Sequence, residues 1–308
     1  MSQGDTSRLE ELRARKEDVR MGGGQARIDR QHAKGKMTAR ERIATFLDSD
    51  SFQELQPFTA AHPENEDSIR GDGVVTGYGS VEGRTVFLYA QDFTVYGGSV
   101  SLAHAQKIVH VQQMALRNGA PIIGLLDSGG ARIQEGVMSL QGYGEVFRMN
   151  ALASGVIPQI SVILGPCAGG ASYSPALTDF IVMTDSSSMM FITGPDVVKS
   201  VTGEEIDHQG LGGARVHATT SGVAHFVGRD ETHALALVRQ LLAYLPSSNV
   251  ESPVVLTPED DPGRIDEALN TLVPEAPNEP YDMTTAIQPV VDRGSGLGVK
   301  SGWAQRGR

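Results

Sequence analysis

Apolar positions change their spacing several times along the middle of the chain. Two apolar runs after Asp72, "GVVTGYGSV" and "RTVFLYAQDF", flank the turn "EG" and predict a pair of neighbouring strands. The next segment, "LAHAQKIVHVQQMALRNG", repeats apolar residues at helical spacing and stops at Gly119. This change from strand spacing to helix spacing predicts an α/β domain.

The same alternation continues to about residue 203. Further strands are predicted over "PIIGLLD", "PQISVILG", "DFIVMT" and "SMMFIT". Further helices are predicted over "SLQGYGEVFRMNALASG", "GGASYSPAL" and "GPDVVKSVTG". The repeated order of strand, strand and helix indicates a superhelical stack of ββα units, with two roughly perpendicular sheets flanked by helices. The pattern alone does not exclude a doubly wound sheet.

The two ends of the chain lack this alternation. The first 20 residues predict an exposed, charged helix, and a glycine-punctuated basic segment, "GGGQARIDRQHAKGKMTARERI", follows it. The basic segment is either a solvated arm or an arm that contacts a subunit or binds phosphate. Within it, Thr38 and Glu41 have the spacing of a capping box. Beyond Ser247 the chain is rich in Pro, Asp and Glu, which predicts an extended surface segment and a poorly ordered C-terminus.

Composition excludes several classes of protein. The formal net charge of −11 over 308 residues argues against a broad nucleic-acid-binding surface. The single cysteine, Cys167, excludes internal disulfides and a cysteine-rich zinc site. No apolar run approaches the roughly 18 residues of a membrane span, and the first residues lack the apolar core of a signal peptide. We therefore expect a cytoplasmic protein that binds neither nucleic acid nor membrane.

Two glycine pairs follow predicted strands in the same way. Gly129 and Gly130 follow "PIIGLLDS", and Gly169 and Gly170 follow "QISVILGPCA". One such pair is explained by a tight turn alone, because glycine adopts conformations that other residues do not. Two pairs that both end strands and open helices predict backbone N–H groups that have no internal partner and point at one anion.

The anion is best explained as the oxyanion of a thioester enolate, which amide donors alone stabilise. Neither turn has the lysine of a phosphate-binding loop or the spacing of a dinucleotide fold. A serine hydrolase is disfavoured because Ser128 lies in "DSGGA", which is not Gly-x-Ser-x-Gly. Cys167 is more simply a buried structural thiol. No trustworthy spacing of metal ligands is present, so no metal is expected.

Long segments of the chain are distinctive: "RQHAKGKMTARERI", "GDGVVTGYG", "QDFTVYGGS", "DSGGARIQEGV", "GVIPQISVILGPCAGGASYSPALTDF", "MFITGPDVVKSVTGEE" and "LGGARVHATTSGVAHF". They resemble one family, the carboxyltransferase (β) subunits of acyl-CoA carboxylases, of the propionyl-CoA carboxylase and methylmalonyl-CoA decarboxylase α types. The resemblance implies a crotonase-like ββα superhelix, which agrees with the predicted alternation. It also implies transfer of a carboxyl group from carboxybiotin to the α-carbon of a short acyl-CoA, such as propionyl-CoA or acetyl-CoA.

The resemblance also implies the site and its partners. It assigns the catalytic amides to Gly169 and Gly170. It assigns substrate binding to Gly129, Gly130, Ala131, Arg132 and Ala168. The substrate would be a coenzyme A thioester, and a biotin carboxylase and biotin-carrier subunit would supply the carboxybiotin. A homo- or hetero-oligomer is expected, in which another protein provides the second carboxyltransferase half.

The predicted domain boundaries follow the same resemblance. Residues 1–23 are the charged helix, residues 24–291 the acyl-CoA-binding half of a carboxyltransferase, and residues 292–308 a disordered tail. We expect this sequence to lack the second carboxyltransferase domain. Two alternatives therefore remain open, namely a biotin-independent decarboxylase of malonyl- or methylmalonyl-CoA and a non-catalytic acyl-CoA-binding subunit.

Overall fold

A single mixed sheet forms the centre of the protein. The computed structural model describes residues 3–62, 69–255, 257, 260–276 and 278–303. Within these residues the strands are β1 (Gln53–Leu55), β2 (Val74–Val81), β3 (Arg84–Gln91), β4 (Ile122–Ser128), β5 (Gln159–Ala168), β6 (Phe180–Thr184), β7 (Met189–Phe191) and β8 (Phe226–Gly228). They confirm the strands predicted between residues 73 and 193.

The strands are linked in the order β1, β2, β3, β4, β5, β6 and β8. The first three are antiparallel, and the pairs from β3 onward are parallel. Strand β7 branches from this path, because it pairs with the end of β5 whereas β6 pairs with its beginning. We expected two roughly perpendicular sheets. The strands in the described ranges are instead connected by hydrogen bonds through the long strand β5.

Helices cover both faces of the sheet. They are α1 (Gln3–Arg20), α2 (Gln25–His32), α3 (Ala39–Phe46), α4 (Leu102–Asn118), α5 (Val137–Ala153), α6 (Gly170–Ala176), α7 (Pro195–Thr202), α8 (His208–Gly212), α9 (Ala214–Thr219), α10 (Glu231–Tyr244), α11 (Leu269–Leu272) and α12 (Met283–Ile287). Short 3₁₀ turns lie at Tyr96–Gly98 and Ile133–Glu135. No helix within the described ranges is both long and apolar enough to cross a membrane.

Strand β3 shows how the core is divided. Phe87 and Tyr89 pack in one apolar cluster with residues of α4 and α5, whereas Val86 and Leu88 pack in another with residues of α3 and α10. Because successive side chains of a strand point to opposite faces, the two clusters lie on opposite sides of the sheet. The burial of both faces explains why β3 and β4 are almost continuously apolar.

The C-terminal tail packs more closely than its composition indicates, whereas the cap in the basic segment forms as expected. The predicted capping box is confirmed, since Thr38 Oγ1 accepts a hydrogen bond from the Glu41 amide and the Glu41 carboxylate accepts one from the Thr38 amide. The expected disordered tail, 292–308, is placed against the domain as far as residue 303. The Lys300 amide donates to His225 O at 2.9 Å, and Leu297 packs against the core. Residues 304–308 lie outside the described residues.

Candidate active site

Two glycine bends lie side by side at one edge of the sheet. The first bend is Gly129–Arg132, after β4, and the second is Ala168–Ala171, at the end of β5. The two strands are parallel neighbours, so their carboxyl ends meet at the same edge, where Ser128 pairs with Cys167. A Cβ added to Gly130 would lie only 2.8 Å from Ala168 O. The predicted convergence of the two turns is therefore present in the structure.

The second bend leaves free N–H groups at the start of a helix. Gly169 has φ 58° and ψ −126°, a conformation that is essentially restricted to glycine, and it turns the chain from β5 directly into α6. Neither the Gly170 nor the Ala171 amide has a hydrogen-bond acceptor within the described residues. This is the usual state of the first N–H groups of a helix, and it produces a local positive potential.

The Gly169 amide is not available to a ligand in this arrangement. It donates a hydrogen bond to Phe191 O of β7 at 3.1 Å, so it holds β7 against the end of β5. The resemblance assigned Gly169 and Gly170 together as the oxyanion donors. In the structure only the Gly170 amide of this pair is free, and the neighbouring Ala171 amide is free beside it.

The first bend does not open a helix, contrary to the expectation from its sequence. Ala131 instead forms an isolated parallel bridge with Val100. The Arg132 amide donates to Val100 O, and the Val100 amide donates to Gly130 O, each at 2.9 Å. This long-range pairing keeps the bend extended, and α5 begins only at Val137.

The amides of the first bend are also unequal. The Gly129 amide donates to Gly97 O at 3.0 Å, and the Gly130 amide donates to Ser128 Oγ at 3.1 Å. The Ala131 amide has no acceptor within the described residues. Ala131 is therefore the member of this bend whose N–H is open to a ligand.

The Arg132 side chain is held by the fold. Its guanidinium donates to Asp72 Oδ1 at 2.6 Å and to Glu135 Oε1 at 3.3 Å, and it stacks 4.6 Å from the centre of the Tyr96 ring. Only 8% of the residue is exposed. Asp72 and Tyr96 were not predicted as partners of Arg132, because their contacts with it join segments that are far apart in the chain. Arg132 fixes the end of the first bend.

Tyr143 forms the floor beneath the second bend. Its ring carbons would lie 3.1–3.3 Å from a Cβ placed on Gly170, so only glycine leaves this bend undisturbed. Burial raises the pKa of the phenol, and its oxygen has no hydrogen-bond partner within the described residues. The contact between α5 and α6 therefore sets the position of the Gly170 amide.

Side-chain nucleophiles are not poised at the bends. The Cys167 thiol is fully buried and donates to Ala171 O at 3.0 Å, and burial raises its pKa, so it remains protonated. Ser128 Oγ donates to Gly98 O at 2.7 Å and is buried. No histidine in the described part of the chain bonds to Ser128. This arrangement favours amide chemistry over a serine or cysteine nucleophile.

A buried ionic cluster fastens the basic segment beneath the first bend. Asp127, the residue before Ser128, lies 2.6 Å from Lys36 Nζ and 3.0 Å from Arg42 Nη1. Arg42 also pairs with Glu231 of α10 at 2.6 Å. Burial lowers the pKa of Lys36, although the Asp127 carboxylate counteracts that effect. This half of the basic segment is therefore structural.

Exposed apolar side chains flank the two bends. Ile133 and Ile192 are 82% and 71% exposed, and Val137 and Leu140 at the start of α5 are also exposed. The Ile192 carbonyl lies 3.8 Å from the position of a Cβ on Gly169, which places this residue beside the second bend. Such a concentration of apolar surface beside a site is typical of a surface that another protein covers.

In the described part of the chain, no group of three or more His, Cys, Asp or Glu residues is arranged to hold a metal ion.

Comparison with known proteins identifies the family to which these bends belong. The family model described as the carboxyl transferase domain matches residues 30–306. This chain is a member of the carboxyl transferase domain family. The match continues beyond Val291, the expected end of the resemblance.

The relatives include both carboxylases and a decarboxylase. The chain is 54% identical over 302 residues to the propionyl-CoA carboxylase carboxyltransferase subunit of Haloferax mediterranei, covering 97% of this chain and 58% of the relative. It is 54% identical over 291 residues to the methylmalonyl-CoA decarboxylase subunit alpha of Veillonella parvula, covering 93% and 57%. This member of the carboxyl transferase family thus spans a little under three fifths of the length of these relatives.

A solved structure supports the fold. The transcarboxylase 12S hexamer, crystallised with methylmalonyl-CoA and methylmalonic acid, matches with a TM-score of 0.92 and 46% identity. The match covers 96% of this chain and 58% of that one. The predicted crotonase-like α/β fold is confirmed by this similarity.

Proposed function

We propose that this chain is the acyl-CoA-binding half of a carboxyltransferase that moves a carboxyl group onto the α-carbon of a short acyl-CoA, propionyl-CoA or acetyl-CoA. The observation that carries the proposal is the free Gly170 amide at the point where the two bends touch. The neighbouring Ala171 amide and the Ala131 amide of the first bend are the further donors available for the same task.

The chemistry follows from where negative charge develops. Loss of the α-proton turns the thioester into an enolate, and the charge accumulates on the thioester oxygen. A preorganised N–H group stabilises that oxygen, and removal of one such donor typically lowers the rate by about 10²–10³. The buried floor formed by Tyr143 holds the Gly170 donor in place, so little reorganisation accompanies the reaction.

Carboxybiotin on a partner protein would supply the carboxyl group and accept the α-proton. The chain's own part is to bind the thioester, orient its carbonyl toward Gly170 and leave the α-carbon accessible. The exposed apolar side chains beside the bends, among them Ile133 and Ile192, fit a site that a partner carrying the second carboxyltransferase half covers.

A second candidate function is decarboxylation of malonyl- or methylmalonyl-CoA without biotin. The 54% identity to a methylmalonyl-CoA decarboxylase subunit alpha supports decarboxylation as the reaction, as strongly as the equal identity to a carboxylase subunit supports carboxylation. Cleavage of the bond between the α-carbon and the carboxylate releases CO₂ and leaves the electron pair as the same enolate, which a proton from water then quenches. One set of amide donors is sufficient for that reaction. A subunit that binds acyl-CoA without catalysis is the remaining alternative.

One set of incubations separates the three functions. The purified chain is incubated with methylmalonyl-CoA, and the acyl-CoA products are followed by chromatography. Decarboxylation by the chain alone supports the second candidate. Carboxylation of propionyl-CoA only after addition of a carboxylated biotin carrier and a protein with the second half supports the first. Binding without turnover under both conditions leaves the non-catalytic subunit, and absence of acyl-CoA binding contradicts all three.

A further inference from the structure

The turn that leads into β2 holds a buried carboxylate in an uncommon backbone conformation. Its residues Gly71, Asp72 and Gly73 have φ values of 85°, 48° and 75°, so all three lie in the left-handed region. Glycine adopts that region freely, whereas a residue with a side chain does so at a cost. Asp72 is also fully buried. A buried residue keeps such a conformation only where surrounding contacts hold it, so the partners of Asp72 indicate what it does.

The Asp72 carboxylate binds two segments that are distant in the chain. Asp72 Oδ1 accepts a hydrogen bond from Arg132 Nη1 at 2.6 Å, at the end of the first bend. Asp72 Oδ2 accepts a hydrogen bond from Ser101 Oγ, directly before α4. One carboxylate therefore joins the end of the first bend to the start of α4.

The same two segments form the bridge that keeps the first bend extended. Ala131 forms this parallel bridge with Val100. The next residue on each side of the bridge, Arg132 and Ser101, is bound to Asp72. The open Ala131 amide thus lies between the bridge and the ion pair. A movement of either segment would turn this N–H group.

The turn that carries the carboxylate is anchored to α4. The Asp72 carbonyl accepts a hydrogen bond from His104 Nδ1 at 2.9 Å. Lys107 Nζ donates to Gly71 O at 2.9 Å and also to Val74 O. Helix α4 is in turn fixed by the apolar cluster on one face of the sheet. The position of the Asp72 carboxylate is therefore set by the domain core and not by the bend.

A second carboxylate makes a weaker connection between the same segments. Glu135 Oε1 lies 3.3 Å from Arg132 Nη1, and Glu135 Oε2 accepts a hydrogen bond from the Leu102 amide at 3.1 Å. The Glu135 side chain is 12% exposed, whereas that of Asp72 is 1% exposed. Because an ion pair weakens with distance and with contact to water, Asp72 is the stronger of the two links to Arg132.

We propose that Asp72 is a positioning residue for the first bend. Through Arg132 and Ser101 it holds the Ala131 N–H group in the direction in which this group donates to the thioester oxygen. The inference rests on the proposed function, because it names the residue that fixes one of the donors invoked there. An amide donor stabilises an oxyanion efficiently only when its direction is fixed before the reaction.

Selective NMR labelling observes the Ala131 amide directly. With glycine labelled by ¹³C at the carbonyl and alanine labelled by ¹⁵N, only an alanine that follows a glycine gives a signal in an HNCO spectrum. In this sequence these residues are Ala120, Ala131, Ala171 and Ala214. The signal that is missing from an Ala131→Ser variant identifies Ala131. A hydrogen bond to a bound thioester moves the amide proton signal downfield, and calorimetric titration with propionyl-CoA gives the affinity.

Two variants of the full chain test the connection. Asp72→Asn removes the charge but retains the size, and asparagine tolerates the left-handed conformation. Ser101→Ala removes the hydrogen bond to Asp72 Oδ2 but leaves the ion pair with Arg132 in place. Asp50→Asn is the matched control, because Asp50 is exposed and has a φ of 59°. Circular dichroism checks that each protein is folded.

In the wild type, propionyl-CoA should move the Ala131 signal downfield. Asp72→Asn and Ser101→Ala should reduce this shift, and Asp72→Asn should weaken binding by roughly three- to tenfold, the contribution of one hydrogen bond. Asp50→Asn should behave as the wild type does. If Asp72→Asn does not fold, the comparison of Ser101→Ala with the wild type decides the question.

The contrary results are distinct. A purely structural Asp72 would make the folded Asp72→Asn protein easier to unfold with urea but leave the downfield shift of Ala131 unchanged, and that result would overturn the inference. A wild type that binds propionyl-CoA without a shift of the Ala131 signal would also overturn it. Failure of the wild type to bind propionyl-CoA at all would instead overturn the proposed function.

Discussion

Replacement of Gly130 by alanine tests whether close contact between the two bends positions the site. A Cβ at this residue would lie 2.8 Å from Ala168 O, about 0.6 Å inside the 3.4 Å at which ordinary contact begins. The backbone of Gly130 also has φ 100°, which L-residues rarely adopt. Such a conformation costs a non-glycine residue roughly 1–3 kcal/mol. Gly130→Ala should therefore lower the free energy of unfolding by about that amount and push the bends apart.

Gly129→Ala is the matched control for this change. Its added Cβ would have a single neighbour, Gly97 O, at the ordinary distance of 3.7 Å, and its φ is not positive. We expect the control to change the free energy of unfolding by less than about 0.5 kcal/mol. A displacement approaching 1 Å at a site lowers the rate by up to about 10², so Gly130→Ala should reduce turnover or propionyl-CoA affinity by at least tenfold.

The two variants are compared by urea unfolding, followed by far-ultraviolet circular dichroism, and by calorimetric titration with propionyl-CoA. The reasoning predicts that Gly130→Ala is less stable and binds more weakly, whereas Gly129→Ala resembles the wild type. Equal stability and equal affinity of the two variants would refute the claim that the bends are packed at their limit.

Three further predictions concern buried groups around the bends. Burial and the Arg132 charge lower the pKa of His104 to about 3 from 6.5, so only the unfolded chain takes up a proton as the pH falls below 6.5. Protonation of His104 in the unfolded chain should therefore lower the free energy of unfolding by about 2 kcal/mol between pH 7 and pH 5. Urea unfolding at both pH values should show that this loss of stability is about 2 kcal/mol smaller in His104→Gln than in the wild type. An equal loss in the two proteins would contradict the prediction. Tyr143→Phe removes a buried hydroxyl that has no hydrogen-bond partner in the described structure, so it should not lower the free energy of unfolding measured with urea. A decrease of more than about 1.5 kcal/mol in that free energy would reveal a hydrogen bond of the hydroxyl. Glu231→Gln leaves the buried cations Arg42 and Lys36 to share one carboxylate, Asp127, and should destabilise the protein by about 3–5 kcal/mol in denaturant titration. A loss below about 1 kcal/mol would show that Glu231 is not needed for the stability of the buried cluster.

The sequence predicts the regular elements well because each has a local signal. Helix α4 begins after the Ser101 cap and ends at Gly119 in the left-handed conformation, as the apolar spacing and the glycine indicate. The strand before each glycine pair is likewise evident from its apolar run. The meeting of the two bends also follows, because neighbouring parallel strands end at one edge of the sheet.

The state of each amide could not be predicted from local sequence. The pattern treats both glycine pairs alike, yet the bridge between Ala131 and Val100 keeps the first bend extended. The Gly169 amide is occupied because β7 returns to the end of β5 through Phe191. Both events join residues more than 20 positions apart, so a local pattern contains no sign of them.

The division of the basic segment is a similar case. The sequence leaves open whether the segment is a solvated arm or a phosphate-binding arm. In the structure Lys36 and Arg42 turn inward to Asp127, whereas Arg30 and Lys34 line a cavity. The identity of the inward residues depends on carboxylates from β4 and α10, which are distant in the chain.

The proposed hydrogen bond from the Gly170 amide to the substrate is tested most directly by infrared difference spectroscopy of bound propionyl-CoA labelled with ¹³C at the thioester carbonyl. A carbonyl that accepts hydrogen bonds from Gly170 and its neighbours is polarised, so its stretching band should move to lower frequency than in free propionyl-CoA. Gly170→Val, whose side chain would meet the Tyr143 ring, should remove the shift or the binding. A band at the free frequency in the bound wild type, or an unchanged shifted band in folded Gly170→Val, would contradict the account.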